Sequence, residues 1–132
     1  MTASAQTCEE VKARLQQERH LTIPIKSEYA DRWSFRSGDR IGVDLGCEKG
    51  NFDAVVFWVG LKPEQEFFDL VTRVGIAISG NSPSEVSSAV DQCLAKAALD
   101  KQGLAKLEQP VRMECEAYVE QGGGTLITVY AK

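Results

Sequence analysis

Apolar and polar residues recur along the chain with two different periods, and the first period is helical. Thr7 is a predicted N-cap for a helix over about 8–19, whose apolar positions fall on one stripe. Residues 21–25 then alternate apolar with polar, which predicts a short strand. Pro24 places this strand at a sheet edge, because proline cannot donate a ladder hydrogen bond.

A β-hairpin is predicted in the next segment. In residues 32–36 two aromatic side chains, Trp33 and Phe35, share one face of a strand and two arginines share the other. A turn follows, and residues 41–47 alternate again between apolar and small or polar side chains. Two alternating runs joined by a short turn favour an antiparallel pair.

The segment over 54–59 is apolar at every position. It is too short for a helix, and its β-branched and aromatic residues favour a strand that is covered on both sides. We predict that Val55 and Phe57 face the core beneath the later helices. Val56 and Trp58 then point to the opposite face, which needs a cover of its own.

Two helices and two strands follow. Helical periodicity predicts a helix over 63–79, and a Ser-Pro-Ser-Glu capping box at 82–85 opens a second helix that runs to about 102. Residues 111–119 and 125–130 alternate as strands on either side of a glycine-rich turn.

The predicted order of elements is α-β-β-β-β-α-α-β-β in a single domain over 1–132. Runs of strands followed by runs of helices indicate an α+β fold, here a mostly antiparallel sheet with helices packed on it. The apolar positions of these elements also predict a core. Its predicted members are Val55, Phe57, Phe67, Leu70, Val71, Val74, Val90, Leu94, Met113 and Val119.

Charge and hydropathy argue against two classes of partner. The formal net charge of -4 provides no general attraction to nucleic acid. The longest uninterrupted apolar run, over 54–59, is far too short to span a bilayer. We therefore expect neither nucleic-acid binding nor insertion into a membrane.

The cysteines indicate a cellular location. An even number of dispersed cysteines without a C-x-x-C pair is typical of disulfides formed in an oxidising compartment. Residues 3–5 have the small-x-small pattern that precedes a signal-peptidase cut, so residues 1–6 are expected to be a disordered remnant in an exported protein. Four cysteines allow three pairings, and sequence alone does not choose among them. These cysteines are Cys8, Cys47, Cys93 and Cys115.

The opening helix resembles that of a group of short bacterial periplasmic proteins of unknown function. The resemblance rests on Cys-Glu-Glu-Val-Lys-Ala-Arg-Leu at 8–15 and on Leu-Gly-Cys-Glu at 45–48. Members of that group begin with a Cys-Glu-Glu helix and carry a second cysteine near a glycine in a following strand. The resemblance covers only the first third of the chain and implies no activity. It implies a periplasmic location and a Cys8–Cys47 bridge, which leaves Cys93 to pair with Cys115.

Residues suited to catalysis or metal binding are sparse. His20 is the single histidine, which leaves little material for acid–base catalysis or a zinc site, and no cofactor is expected. Four carboxylates on or near two adjacent turns can serve hydrolysis or bind calcium, although acidic residues are also common in turns. These carboxylates are Asp39, Asp44, Glu48 and Asp53.

Aromatic and arginine side chains form the most suggestive cluster, because these types dominate binding hot spots. The alternative is that the aromatic rings belong to the core and the arginines to the solvated face. The cluster comprises Tyr29, Arg32, Trp33, Phe35, Arg36 and Arg40. We predict that the Trp58 side of the sheet, with Trp33 and Arg36 at its rim, is a surface for another protein or for a homodimer.

These observations favour one function over two others. The favoured function is a small, non-enzymatic protein, periplasmic or secreted from a Gram-negative bacterium, that binds another macromolecule as an inhibitor, immunity-type or envelope accessory protein. The first alternative is a small hydrolase that uses the carboxylates between Asp39 and Asp53. The second is a carrier that holds a small apolar ligand between sheet and helices.

Overall fold

One antiparallel sheet of seven strands carries three helices in the described part of the chain. The structure is a computed structural model that describes residues 6–18, 20–22, 25–28, 30–48, 51–117 and 123–131. The helices are α1 (Cys8–Gln16), α2 (Gln65–Ser79) and α3 (Pro83–Leu99). The strands are β1 (Ile25–Lys26), β2 (Arg32–Ser37), β3 (Ile41–Glu48), β4 (Asn51–Trp58), β5 (Leu104–Leu107), β6 (Met113–Ala117) and β7 (Thr125–Tyr130). The predicted α+β class is confirmed.

The strand order across the sheet is β1-β2-β3-β4-β7-β6-β5. Strands β1 to β4 form one meander and β5 to β7 form another, with α2 and α3 between them in sequence. The two meanders join where β7 pairs antiparallel with β4 along six residues of each strand. Strand β4 is therefore the central strand, with three strands on either side.

The helix starts follow from capping residues. Thr7 accepts a hydrogen bond from the backbone N–H of Glu10 and donates its own N–H to the Glu10 carboxylate, which satisfies two groups at the start of α1. Ser82 and Glu85 make the same reciprocal pair at the start of α3. Gly80 ends α2 in the left-handed conformation, as a C-terminal glycine does. The predicted N-terminal caps Thr7 and Ser82 are confirmed. Helices α1 and α3 each end three residues before their predicted ends, and α2 begins two residues after its predicted start.

All three helices lie on the same face of the sheet. Helix α1 packs on β3, α2 on β4 and β7, and α3 on β5 and β6. A Cys8–Cys47 disulfide ties α1 to β3, and a Cys93–Cys115 disulfide ties α3 to β6. Both expected bridges are confirmed. Because each bridge joins a helix to a strand, the two together fix both ends of the helical layer to the sheet.

The core lies between the sheet and this helical layer. One continuous row of buried side chains crosses the sheet, because each residue lies directly opposite the next on the neighbouring strand. The row consists of Phe35, Val43, Val56, Ile127 and Cys115. Of the predicted core residues, the buried ones are Phe67, Leu70, Val71, Val74, Val90 and Met113. Leu94 is partly buried against the core, and Val119 lies outside the described residues.

The predicted orientation of β4 is wrong. Trp58 is only 4% exposed and its ring meets that of Phe67 on α2 edge to face, with 6.4 Å between centroids. Val56 is also fully buried beneath the helices. Val55 and Phe57 are instead half-buried on the opposite face. Since residues 54–58 of this strand are all apolar, that run carries no mark of the solvated side.

Two strands differ from the prediction. Residues 104–107 form β5, which the sequence pattern did not reveal, because its leucine, alanine and lysine residues favour helices and only pairing with β6 makes a strand of them. Of the described residues in the edge strand predicted over 21–25, only Ile25 lies in a strand, as the first of the two residues of β1. Pro24, on which its edge position was argued, lies outside the described residues.

Candidate binding surface

The face of the sheet away from the helices, called the open face below, carries partly exposed side chains from six strands. Helix α1 lies on the other side, with the core, so it does not cross over to cover this face. The open face is formed by Arg32, Ser34 and Arg36 of β2, Asp44 of β3, Asp53, Val55 and Phe57 of β4, Leu126, Thr128 and Tyr130 of β7, Glu114 and Glu116 of β6, and Leu104 and Lys106 of β5.

Two glycines of β3 shape this face. A Cβ atom added to Gly42 would collide with the ring of Phe57 and the guanidinium of Arg36. A Cβ atom added to Gly46 would likewise collide with Arg32 and the Asp53 carboxylate. Because glycine has no side chain, groups from β2 and β4 can meet above the backbone of β3.

Both arginines of β2 use these gaps. Arg32 Nη1 donates to Asp53 Oδ1 across 3.1 Å. The guanidinium carbon of Arg36 lies 4.6 Å from the centroid of the Phe57 ring, which is a cation–π distance. Strands β2 and β4 are therefore linked by side chains over the strand between them, and the two arginines are held in place on the open face.

Three of the four candidate carboxylates contact these arginines, and Asp53 and Glu48 share Arg32. Asp44 accepts a 2.6 Å hydrogen bond from Ser34 Oγ and lies 3.3 Å from Arg36 Nη1. Glu48 lies 3.8 Å from Arg32. The fourth carboxylate, Asp39, is exposed in the turn between β2 and β3.

Burial perturbs two groups at one end of this face. Desolvation raises the pKa of the Asp53 carboxyl above its usual value, and the Arg32 charge only partly offsets it. Burial also raises the pKa of Tyr130, and a hydrogen bond to Glu114 and the negative charge of Asp53 act in the same direction. Asp53 and Tyr130 are direct partners across the β4–β7 pair.

The centre of the open face is apolar and its flanks are charged. Val55 and Phe57 of β4 lie beside Leu126 of β7, and all three are half-buried. The flank on β2 carries two arginines, whereas the flank on β6 carries Glu114 and Glu116. An apolar centre between polar margins is the usual arrangement of a protein–protein contact surface.

A shallow depression extends the open face at the β1 end. It has a volume of about 310 Å³ and is lined in part by Ile25, Arg32, Ser34 and Asp44. Ile25 lies directly opposite Ser34 on the neighbouring strand and is 70% exposed. The apolar side chain of a two-residue edge strand is therefore left in contact with solvent beside the charged flank.

Of the three residues predicted to form a binding surface, only Arg36 lies on the open face. Trp58 lies in the core, as described above. Trp33 is on the helical side, where Lys12 Nζ of α1 stands 3.4 Å from its ring centroid. The proposed rim of Trp33 and Arg36 therefore falls on two different faces of β2, and Tyr29 lies outside the described residues.

Sequence reasoning missed the contribution of β7 and the two glycines. Strand β7 was recognised, and its alternation already separates Leu126, Thr128 and Tyr130 from the buried side chains between them. Gly42 and Gly46 occur two residues on either side of Asp44, so one face of β3 is visibly small and polar. The alternation of β7 and the small, polar face of β3 are therefore the sequence signals that indicate the open face.

The described residues provide neither a metal site nor a membrane-spanning helix. Within the described ranges, no group of three or more histidine, cysteine, aspartate or glutamate side chains is placed to hold a metal ion. No described helix combines the length and apolar character that a membrane span needs. Comparison with protein-family models, with curated proteins and with solved structures finds no match.

Proposed function

We propose that this protein is a non-enzymatic binding protein that docks another macromolecule on the open face of its sheet. The observation that carries the proposal is the half-buried apolar centre of Val55, Phe57 and Leu126 on a face that no helix of the described chain covers. Arginine and aromatic side chains held in a fixed geometry lose little conformational entropy on binding. The Arg36–Phe57 contact supplies such a pair.

The geometry supports the two alternatives less well. A carboxylate-dependent hydrolase needs an acid and a base that face a common substrate, whereas Asp44 and Asp53 are each engaged by an arginine. A carrier of an apolar ligand needs room in the core. The gap between α1 and α2, lined by Val11, Leu15 and Val74 among others, measures about 10 Å³, which is room for about one water molecule.

We further propose that the protein acts in the periplasm or outside a Gram-negative cell. The two disulfides support an oxidising compartment, because thiols are kept reduced in the cytosol. The resemblance of the opening helix to short periplasmic proteins points the same way. In that location it would act as the inhibitor, immunity-type or envelope accessory protein described above.

Site-specific photo-crosslinking in the producing cells tests the binding proposal. A benzoylphenylalanine in place of Leu126 on the open face should capture a partner, because a docked surface lies within reach of that position. The matched control carries the same group in place of Ala95, an exposed position on α3. The captured protein, once identified and purified, should bind the wild-type chain and lose most of its affinity for Phe57→Glu.

Each result of this experiment has a definite meaning. A partner captured at position 126 and not at position 95 supports docking on the open face. Equal capture at both positions, or purified binding that Phe57→Glu leaves unchanged, contradicts it. Recovery of the protein from the cytosol with free thiols would contradict the proposed location, but it would not test the proposed binding surface.

A further inference from the structure

We infer that the partner of the open face is a second copy of this chain, packed face to face about a two-fold axis that runs along β4. This inference rests on the proposed function, since it takes the open face to be a binding surface. The arrangement of residues across the sheet is the reason for choosing a second copy as the partner. Strand β4 is the natural position for such an axis because it has three strands on each side.

The axis places each strand over a specific strand of the copy. A half-turn about β4 lays β2 over β6 of the copy and β3 over β7 of the copy, and it leaves β4 facing itself. Residues that are in register across one sheet then meet residues of the same row in the other. Facing pairs can therefore be read from the strand register.

The row through Phe57 is complementary in both charge and shape. Arg36, Gly42, Phe57, Leu126 and Glu116 lie opposite one another on successive strands. The half-turn sets Arg36 over Glu116 of the copy, twice in the dimer, and Phe57 over its own equivalent on the axis. Opposite charges in facing positions favour a specific complex and disfavour wrong ones.

The row through Val55 is complementary as well. It runs through Ser34, Asp44, Val55, Thr128 and Glu114. The half-turn sets the Ser34 hydroxyl over the Glu114 carboxylate and the Thr128 hydroxyl over the Asp44 carboxylate, with Val55 over itself. Ser34 already donates its proton to Asp44 of its own chain at 2.6 Å, so the Thr128 hydroxyl is the donor that this packing offers to the copy. Val55 and Phe57 make the axis apolar, apart from Asp53.

The other two-fold packing puts like charges together. An axis across the strands lays every strand over its own copy, so Arg32 and Arg36 would face the same two arginines. With this axis at the row of Ser34, Glu114 would likewise face its own equivalent, whereas Glu116 would face Arg112 of the copy.

The favoured packing has like-charged contacts too, in the row of Asp53: Asp53 faces its copy on the axis, and Arg32 faces Arg112 of the copy, which stands over the Tyr130 ring. These charges have partners within their own chain, Arg32 with Asp53 at 3.1 Å and Arg112 with Glu108 at 4.0 Å.

The size of the open face suits a stable dimer. Seven strands spaced about 4.8 Å apart and about six residues long cover about 29 Å by about 20 Å. Such a flat footprint of about 580 Å² is about three quarters of the roughly 800 Å² per partner of a standard protein interface. Two sheets that pack face to face leave about 10 Å between them, which half-buried side chains from both faces can fill.

Sedimentation velocity over a concentration series tests the inference on the purified, oxidised chain. The wild type should be a dimer at tens of micromolar, and Phe57→Glu should raise the dimer dissociation constant about 30-fold or more, as loss of an interface hot spot does. The control Leu99→Glu replaces a leucine that is 90% exposed at the end of α3. It should leave the dimer unchanged, and circular dichroism should show that all variants are folded.

A charge exchange identifies the axis. Arg36→Glu and Glu116→Arg should each weaken self-association, because each creates two like-charged contacts in its own dimer. An equal mixture of the two variants should recover dimers, since every facing pair is then of opposite charge. Mixtures that stay monomeric while both variants are folded would overturn the packing.

Failure of this inference is distinguishable from failure of the proposed function. A wild type that stays monomeric at tens of micromolar, or a dimer that Phe57→Glu does not weaken, overturns the second-copy inference. If crosslinking at position 126 then captures a different protein, the open face remains a binding surface for that protein. If position 126 captures nothing beyond the control at position 95, both proposals fail.

Discussion

At the scale of single residues, two missing side chains decide the chemistry of the open face. Gly42 and Gly46 leave the space in which Arg36 reaches Phe57 and Arg32 reaches Asp53. A larger residue at either position would separate these pairs and leave a half-buried charge without its partner. Side-chain contacts over the two glycines thus help to stabilise the open face, as the helical layer stabilises the opposite face.

Gly46→Ala should lower the free energy of unfolding by about 1–3 kcal/mol, as added volume in a packed site does. The new Cβ would displace Arg32 from Asp53, whose side chain is only 10% exposed. Urea denaturation measures the effect. In an Asp53→Ala background the same substitution should cost less, and an equal loss in both backgrounds would contradict this explanation.

Asp53 should also make stability depend on pH in a definite direction. Its folded pKa is raised by desolvation, so the folded state takes up a proton more readily than the unfolded chain. The neutral carboxyl therefore favours folding below the usual aspartate pKa, and this contribution is lost as pH rises through the raised pKa. Relative to Asp53→Asn, the wild type should gain stability as pH falls from 7 towards 4. A relative loss over that range, in urea titrations at each pH, would contradict the prediction.

At the scale of elements, the two disulfides differ in burial and not in role. Each ties one helix to one strand of the sheet. Cys93 and Cys115 are fully buried, whereas Cys8 and Cys47 are half-buried at the α1 end. Thiol–disulfide exchange needs access of the attacking thiolate to a sulfur atom. The bridge at α1 is consequently the accessible one in the folded protein.

Mild reduction should therefore open Cys8–Cys47 well before Cys93–Cys115. We expect alkylation to label the first pair in the native protein and the second pair only when the protein unfolds, and peptide mass spectrometry measures both rates. A Cys8→Ala, Cys47→Ala double variant should show no fast labelling. Equal rates for the two pairs in the wild type would contradict the assignment.

The elements that the sequence predicts correctly are those with local signals. The N-cap at Thr7, the capping box at Ser82 and regular helical periodicity place the three helices to within a few residues. The hairpin of β2 and β3 follows from its alternation. Local chemistry suffices in these cases because caps and periodicity act within a few residues of where they occur.

The features that escaped prediction depend on distant contacts. The orientation of β4 is set by register, since Glu48 pairs with Asn51 and so carries Val56 beside Val43 on the core face. Once that pairing is known, the sequence alone places these residues together. No comparable signal marks β5, whose four residues become a strand only by pairing with β6. The open face depends on the orientation of β4 and on the presence of β5. The sequence therefore predicts a binding surface on the sheet but does not identify the residues that form it.

At the scale of the whole molecule, the β4–β7 pair is the junction that makes one sheet of two meanders. Ile127 of β7 is fully buried, directly between Val56 of β4 and Cys115 of β6. Helix α2 packs across the same junction, on both β4 and β7. The N-terminal and C-terminal strands therefore share one core, and loss of packing at the junction weakens both meanders together.

Ile127→Ala tests this cooperativity, and it should destabilise the protein by about 2–5 kcal/mol, as large-to-small core changes do. Both tryptophans belong to the first meander, on β2 and β4, so their fluorescence reports the half of the sheet that the substitution does not alter. Far-UV circular dichroism reports mainly α2 and α3. A single cooperative unit requires both signals to shift to the same lower urea midpoint.

The control is Leu99→Ala, at a site that is 90% exposed. It should change the free energy of unfolding that either signal reports by no more than about 0.5 kcal/mol. If fluorescence kept its wild-type midpoint while dichroism moved, the two meanders would unfold separately. The junction would then not be the element that unites the fold.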